Sequence, residues 1–305
     1  MENDGTNTPV FEPRGKVAVV TGGAGGIGLG MARAFTGVGM SVVIADIDAD
    51  RIESATDALR TEGHDVIGVT ADVSKLDDVR ALADAAMDTH GRVDVLCNNA
   101  GSGGFAKLEK VTIDDWEWTL GVDLWGPIYG VNVFQPLIER SPDGGHINST
   151  SSVSGLVAGA AAGPYNVAKH GVIALMATLE REFRIAKSNH RASVLCPGPI
   201  NTDIGRNSVR HRRDAKADTG QSSARESSAR ESSTSRSNAG AKKLAGKMND
   251  FLANGMDPDE VGRIVLDGIL AGQFWMFTHP TLLGLLDHQV EAMQLDRTLS
   301  RGKLA

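Results

Sequence analysis

Tyr165 and Lys169 stand four residues apart in a stretch with helical periodicity, so they share one face of a predicted helix. A phenol with a pKa of about 10 is a poor general base at neutral pH. A nearby ammonium group favours the phenolate and lowers the pKa of the phenol toward a catalytically useful range. Ser152 comes thirteen residues before Tyr165, at the end of a predicted strand, where its hydroxyl can hydrogen-bond a substrate oxygen. Together these residue types predict acid/base chemistry at an oxygen atom.

A glycine-rich segment follows the first predicted strand. Gly22, Gly26 and Gly28 match T-G-x-x-x-G-x-G, while Gly23, Gly25 and Gly28 match G-x-G-x-x-G. Glycines at these spacings allow a tight turn and let the backbone approach a pyrophosphate at the positive N-terminus of a helix. With a strand before it and a helix after it, the segment predicts a dinucleotide site.

Asp46 ends the second predicted strand, 18 residues after Gly28. A carboxylate at this position accepts hydrogen bonds from ribose hydroxyls and repels a 2′-phosphate. Neither the glycine loop nor residues 47–50 contain Arg or Lys, so the sequence favours NAD over NADP. Asp46 could instead cap the next helix, although Asp48 is the better candidate for that role.

These residues require elements that bring them together, and the first two hundred residues alternate between two patterns. Apolar runs typical of strands buried on both faces are separated by longer stretches of helical period. This alternation predicts an α/β fold, with one doubly wound, Rossmann-type, mostly parallel sheet flanked by helices in a single domain. The predicted strands are Lys16–Thr21, Ser41–Asp46, Asp65–Thr70, Val93–Asn98, His146–Thr150 and Ala192–Cys196, and the predicted helices are Ile27–Val38, Ala49–Thr61, Lys75–His90, Ile113–Glu139 and Tyr165–Ala186.

The alternation stops after Asn201. Residues 204–247 contain 11 Lys and Arg against 4 Asp and Glu, whereas the whole chain of 305 residues has a net charge of −7. We interpret this stretch as a mobile, basic, Ser/Arg-rich insertion, since its composition offers little apolar surface to bury. The catalytic domain is expected over residues 15–280, between an N-terminal tail at 1–14 and a helical tail at 281–305. Helical patterns are also expected at Lys242–Ala253 and Asp257–Ala271, and a last strand at Phe274–Thr278.

Taken together, these motifs resemble the short-chain dehydrogenase/reductase family. Besides the glycine loop, Asp72-Val73 is similar to its adenine-binding pair, Asn98–Gly101 to its fourth-strand motif, and Pro197-Gly198 with Thr202 to its segment after the sixth strand. The resemblance implies a nicotinamide cofactor site formed by Gly22, Gly26, Ile27, Gly28, Asp46, Asp72, Val73, Asn99, Ala100, Gly101, Tyr165, Lys169, Pro197, Gly198, Ile200 and Thr202.

The family resemblance also implies hydride transfer between NAD(H) and a secondary alcohol or ketone. Tyr165 would be the acid/base, Ser152 would hold the substrate oxygen, and Lys169 would bind the nicotinamide ribose. The family's fourth catalytic residue is an Asn, where this chain has Asp123. Asp is nearly isosteric with Asn but lacks the amide donor. Asp123 could still hold a relay water or raise the pKa of Lys169, or else the relay is weakened.

The remaining expectations concern partners and surroundings. The segment after Thr202 is where the family places its substrate lid. An apolar small-molecule substrate is expected, because apolar residues of this segment and of neighbouring loops could cover it. The candidates to cover such a substrate are Phe105, Leu156, Val157, Ile204, Leu244, Met248, Phe251 and Leu252. Two Cys in predicted strands, the mild acidity and the lack of metal-ligand spacing predict a cytoplasmic protein with no metal, membrane or nucleic-acid partner. The family resemblance suggests a homotetramer or homodimer. The alternatives are an NADPH-dependent ketoreductase and a catalytically impaired regulatory protein.

Overall fold

The computed structural model describes residues 11–103, 106–204 and 254–294. The first half of the fold contains β1 (Val17–Thr21), α1 (Gly26–Gly37), β2 (Ser41–Asp46), α2 (Ala49–Thr61), β3 (Val66–Thr70), α3 (Leu76–His90), β4 (Val95–Asn98) and α4 (Ile113–Leu120). The second half contains α5 (Gly126–Ile138), β5 (His146–Thr150), α6 (Gly163–Ile185), β6 (Arg191–Cys196), α7 (Pro258–Leu270), β7 (Trp275–Phe277) and α8 (Gly284–Gln294).

Seven parallel strands form one sheet in the order β3-β2-β1-β4-β5-β6-β7. The central strands are buried on both faces, as their continuous apolar runs predict. Residues of α3, α5 and α6 pack on one face of the sheet, and residues of α1, α2 and α7 pack on the other. The prediction of a doubly wound Rossmann-type sheet in one domain is therefore confirmed.

The chain order reverses between β1 and β4, which are neighbours in the sheet. In doubly wound sheets, ligands bind beyond the carboxyl ends of the strands at this reversal. The glycine loop follows β1, Asn99 follows β4 and Ser152 follows β5, so the topology brings these segments to one edge.

One predicted helix differs from the structure. The stretch Ile113–Glu139 is not a single α-helix, because a π-helical turn at Gly121–Trp125 separates α4 from α5. The Gly126 N–H donates to the Gly121 carbonyl, five residues earlier, instead of four. This wider turn contains Asp123, and such turns often occur at functional sites.

Several expectations fall outside the described residues. The predicted helix at Lys242–Ala253 lies there, as does most of the basic insertion at 204–247. The same holds for five of the proposed substrate-covering residues, which are Phe105, Leu244, Met248, Phe251 and Leu252.

Candidate active site

The glycine loop packs so closely that side chains cannot be accommodated. Gly22 has φ +62°, in the left-handed region that favours glycine. A Cβ atom on Gly28 would overlap the Gly22 carbonyl oxygen. Helix α1 then begins at Gly26, and no side chain caps its N-terminus. Its first amide groups and positive dipole end are therefore suited to a pyrophosphate, which fits a dinucleotide.

Three strand ends are joined beside this loop by polar contacts. The Thr21 hydroxyl accepts hydrogen bonds from the backbone N–H groups of Asn99 (2.9 Å) and Ala100 (3.0 Å). The Asn99 amide donates to the Thr21 carbonyl at 3.1 Å and accepts from the Thr150 hydroxyl at 3.2 Å. These bonds tie the ends of β1, β4 and β5 into one rigid rim.

Asp46 lies at the end of β2, next to the glycine loop. Its carboxylate accepts hydrogen bonds from the Ala24 N–H at 3.3 Å and the Asp48 N–H at 3.2 Å. Asp48, in turn, accepts from the Arg51 N–H and caps α2, as predicted. The Arg51 guanidinium packs against Gly25, where a Cβ atom would overlap it. A carboxylate and a guanidinium therefore flank the same end of the site.

A cavity of about 480 Å³ runs along this edge of the sheet. Most of the predicted site residues line it, namely Gly22, Gly26, Ile27, Asp46, Asp72, Val73, Asn99, Ala100, Gly101, Tyr165, Lys169, Pro197 and Thr202. Five others are not part of its wall, namely Gly28, Asp123, Ser152, Gly198 and Ile200. The volume is within the range of about 300–1,000 Å³ that is usual for ligand pockets.

Two of the residues outside the wall, Gly198 and Ile200, support it from behind. The Gly198 N–H donates to the Thr278 hydroxyl at 2.9 Å, which joins the segment after β6 to the end of β7. Ile200 forms a parallel bridge with Met256. A Cβ atom on Gly26 would stand only 3.0 Å from Thr202 Cγ2, so this segment closes over the start of α1.

Tyr165, Ser152 and Lys169 meet at the other end of the cavity. The Ser152 hydroxyl accepts a hydrogen bond from the Ser154 N–H at 3.1 Å and lies close enough to Tyr165 to interact with the phenol. The Lys169 ammonium lies 5.5 Å from the centre of the Tyr165 ring and donates to the Thr150 carbonyl at 3.1 Å. The Ser151 hydroxyl points away from this group and donates to the Lys169 carbonyl at 2.8 Å. The structure thus joins the three residues that the sequence predicts.

A buried ion pair stands behind the lysine. Lys169 Nζ is 3.0 Å from Asp123 Oδ1, and their side chains are 4% and 0% exposed. Burial tends to lower the pKa of Lys169, but the Asp123 carboxylate outweighs it, and the net pKa is raised. Burial raises the pKa of Tyr165, Lys169 lowers it and Asp123 raises it again, so that it lies above its ordinary value.

The structure also reveals site residues that the sequence analysis did not identify. Arg51 follows Asp46 by five residues, one position beyond residues 47–50, which contain no basic side chain. Arg33 lines the cavity and pairs with Asp259 at 2.9 Å. Trp118 and Val122 line it from α4 and the π-helical turn. The signal for Arg51 was its place in the first turn of α2, whereas Arg33 and Trp118 had no local signal.

Comparisons with known proteins identify the family of this chain. Residues 16–213 match the family model described as short chain dehydrogenase. A short chain dehydrogenase/reductase from Burkholderia phymatum, solved in complex with NAD, has a TM-score of 0.86 and 32% identity, covering 97% of this chain and 100% of that chain. The chain therefore belongs to the short-chain dehydrogenase family and is an oxidoreductase with a Rossmann fold.

Two curated relatives are named for their reactions. The 1-deoxy-11-beta-hydroxypentalenate dehydrogenase of Streptomyces exfoliatus is 36% identical over 192 residues, which is 62% of this chain and 69% of that protein. The 3beta-hydroxysteroid dehydrogenase 2 of Eggerthella lenta is 33% identical over 213 residues, which is 69% of this chain and 81% of that protein.

Over residues 11–103, 106–204 and 254–294, no helix has the length and apolar character needed to cross a membrane. Within the same ranges, no group of three or more His, Cys, Asp or Glu is arranged to hold a metal ion.

Proposed function

We propose that this protein is an NAD-dependent dehydrogenase that oxidises a secondary alcohol, or reduces the corresponding ketone, with Tyr165 as the acid/base. The observation that carries the proposal is the position of the Lys169 ammonium, 5.5 Å from the centre of the Tyr165 ring, at the end of a cavity whose other end is the glycine loop. The proposed acid/base residues and the glycine loop thus lie along one continuous surface.

The roles follow from the chemistry of each group. The Ser152 hydroxyl holds the substrate oxygen by a hydrogen bond, and the Tyr165 phenolate takes the proton from the substrate hydroxyl during oxidation. The Lys169 ammonium favours the phenolate and would hold the ribose of a bound cofactor. The bound nicotinamide ring supplies the hydride acceptor. The rim formed by Thr21, Asn99 and Thr150 keeps the two halves of the site at a fixed separation.

For the substrate, we propose a bulky apolar secondary alcohol. The cavity wall includes Trp118, Val122 and Ile204, which offer apolar contacts. The names of two relatives, a hydroxypentalenate dehydrogenase and a hydroxysteroid dehydrogenase, support the same class. Asp46 supports NAD as the cofactor, whereas Arg51 favours the alternative, an NADPH-dependent ketoreductase, because a guanidinium suits a 2′-phosphate.

The test is NADH formation across a panel of steroid, terpenoid and hydroxyacyl alcohols, with the Tyr165→Phe variant beside the wild type. We expect turnover on at least one apolar alcohol, and loss of about 10²-fold or more in kcat in the variant, since general acid/base catalysis contributes about 10²–10⁴. The Kd for NAD should stay close to that of the wild type. Unchanged turnover in Tyr165→Phe would contradict the proposed mechanism, and flat traces throughout would contradict the dehydrogenase function.

A further inference from the structure

Asp123 is a carboxylate with no contact to solvent, in a site whose chemistry depends on a cation. Its side chain is 0% exposed, and its Oδ1 lies 3.0 Å from the Lys169 ammonium. A buried charge is tolerated only when it is paired and hydrogen-bonded, because the interior cannot replace its hydration. The fold must therefore maintain this pair whenever both groups are charged.

Independent contacts fix the carboxylate in that position. The Ser102 N–H lies 3.1 Å from both Asp123 oxygens, and the Ser102 hydroxyl donates to Oδ2 at 2.5 Å. Gly101 lies close to the same carboxylate, because a Cβ atom at this position would stand 3.0 Å from Asp123 Oδ1. The carboxylate cannot turn away from Lys169 without breaking the bonds to Ser102.

The groups that face Tyr165 or Lys169 come from four elements. Helix α6 supplies the Lys169 ammonium, and the π-helical turn supplies the Asp123 carboxylate. The segment after β5 supplies the neutral Ser152 hydroxyl. From β6, Cys196 faces Lys169, and burial raises the pKa of its thiol to about 12, which keeps it neutral. Among the described residues, one cation and one anion thus control the charge at the phenol.

We propose that Asp123 is a positioning residue, which holds the Lys169 ammonium in a buried pair and cancels much of its electrostatic pull on Tyr165. The enzyme would then work best at alkaline pH. This inference rests on the proposed function of Tyr165. An Asn at position 123 keeps the shape of the side chain and removes its charge, so that the ammonium acts on the phenol without a counter-charge. The net rise in the pKa of Tyr165, caused first by burial and increased by Asp123, agrees with this arrangement.

The experiment uses the fact that Tyr129 and Tyr165 are the two tyrosines of the whole chain. Ultraviolet absorbance of tyrosinate is followed against pH in the enzyme without cofactor, and the Tyr165→Phe signal is subtracted to isolate Tyr165. We expect Tyr165 to ionise above a pH of about 10 in the wild type. In Asp123→Asn the midpoint should fall by about one pH unit or more, which is the usual effect of a close charge.

Ser102→Ala serves as the matched control, because it removes a bond to Asp123 but keeps the carboxylate charge. Its Tyr165 midpoint should stay near that of the wild type. The low-pH limb of NAD-dependent alcohol oxidation should move down in Asp123→Asn and remain in place in Ser102→Ala. Circular dichroism at each pH verifies that the variants are folded.

An Asp123→Asn midpoint equal to that of the wild type would overturn the proposal. If Asp123→Asn does not fold, the titration of the wild type tests the proposal, because a Tyr165 midpoint below a pH of about 10 also overturns the proposal. The titration requires neither substrate nor cofactor. Failure to oxidise any alcohol would therefore contradict the proposed function alone, whereas the titration decides the role of Asp123.

Discussion

Asp46 and Arg51 place opposite charges at the end of the cavity next to the glycine loop. The Asp46 carboxylate is held by two backbone N–H groups, and the Arg51 guanidinium rests against Gly25. A 2′-phosphate would be repelled by the first and attracted by the second, whereas two ribose hydroxyls need only the first. We therefore expect cofactor preference at this site to depend on the balance between these two side chains.

We expect Asp46→Asn to raise kcat/KM with NADP by about tenfold or more, because the repulsion disappears while the guanidinium remains. The gain corresponds to about 1.4 kcal/mol. Adding Arg51→Ala to this variant should remove the gain. The measurement is kcat/KM with NAD and NADP for the wild type, both single variants and the double variant. A gain that survives Arg51→Ala would show that Arg51 does not contact the 2′-phosphate.

At the scale of elements, α1 and α7 meet at two glycines. A Cβ atom on Gly262 would overlap the Gly30 carbonyl oxygen, and one on Gly30 would overlap the Pro258 carbonyl oxygen. This close contact brings Asp257, Pro258 and Asp259 to the rim of the cavity. The position of one wall of the site thus depends on backbone atoms touching each other.

We expect Gly262→Ala to destabilise the protein by about 1–3 kcal/mol, because the clash is with backbone that cannot move as a side chain would. Gly37→Ala is the matched control in α1, since no atom lies within 4 Å of its added Cβ. That variant should be neutral or stabilising by less than about 1 kcal/mol, as alanine favours helices. Urea unfolding measures both, and equal stability of the two variants would contradict the packing argument.

At the scale of the whole molecule, a histidine inside the sheet limits stability in acid. His146 is 2% exposed at the start of β5, and its ring lies 2.7 Å from the Ser193 hydroxyl. Burial, together with the nearby Arg191 charge, lowers its pKa to about 3. His146 therefore stays neutral in the folded protein at pH values where the unfolded chain binds a proton, that is, below a pH of about 6.5.

This difference gives stability that is fully present above a pH of about 6.5 and is lost as the pH falls toward 3. In that window, His146 lowers the free energy of unfolding by about 1.4 kcal/mol for each pH unit. His146→Gln keeps a hydrogen-bonding amide but takes up no proton. We expect this variant to reduce the pH dependence of the free energy of unfolding by the equivalent of about one proton. Urea unfolding between pH 7 and 4.5 measures it, with His64→Gln as a control at the surface. If the free energy of unfolding of His146→Gln depends on pH as steeply as that of the wild type, His146 is not the source of the acid sensitivity.

Much of the fold and of the site could be predicted because the signals are local. Apolar runs between helical patterns predict a parallel sheet, and the glycine loop, Asp46, Tyr165 and Lys169 each have a local spacing that indicates their chemistry. The π-helical turn could not be predicted, because one wider turn leaves no periodicity of its own. Arg33 and Trp118 also depend on contacts between distant segments, with no local pattern to mark them.

Residue types at fixed separations along one or two elements were enough to predict the fold class, the glycine loop and an acid/base role for Tyr165. The packing of separate elements was needed to show which charges oppose one another. It placed Arg51 beside the glycine loop near Asp46, and it closed Asp123 against Lys169 with both side chains out of water. Electrostatic effects depend on distance and burial, and these arise only when separate elements pack together.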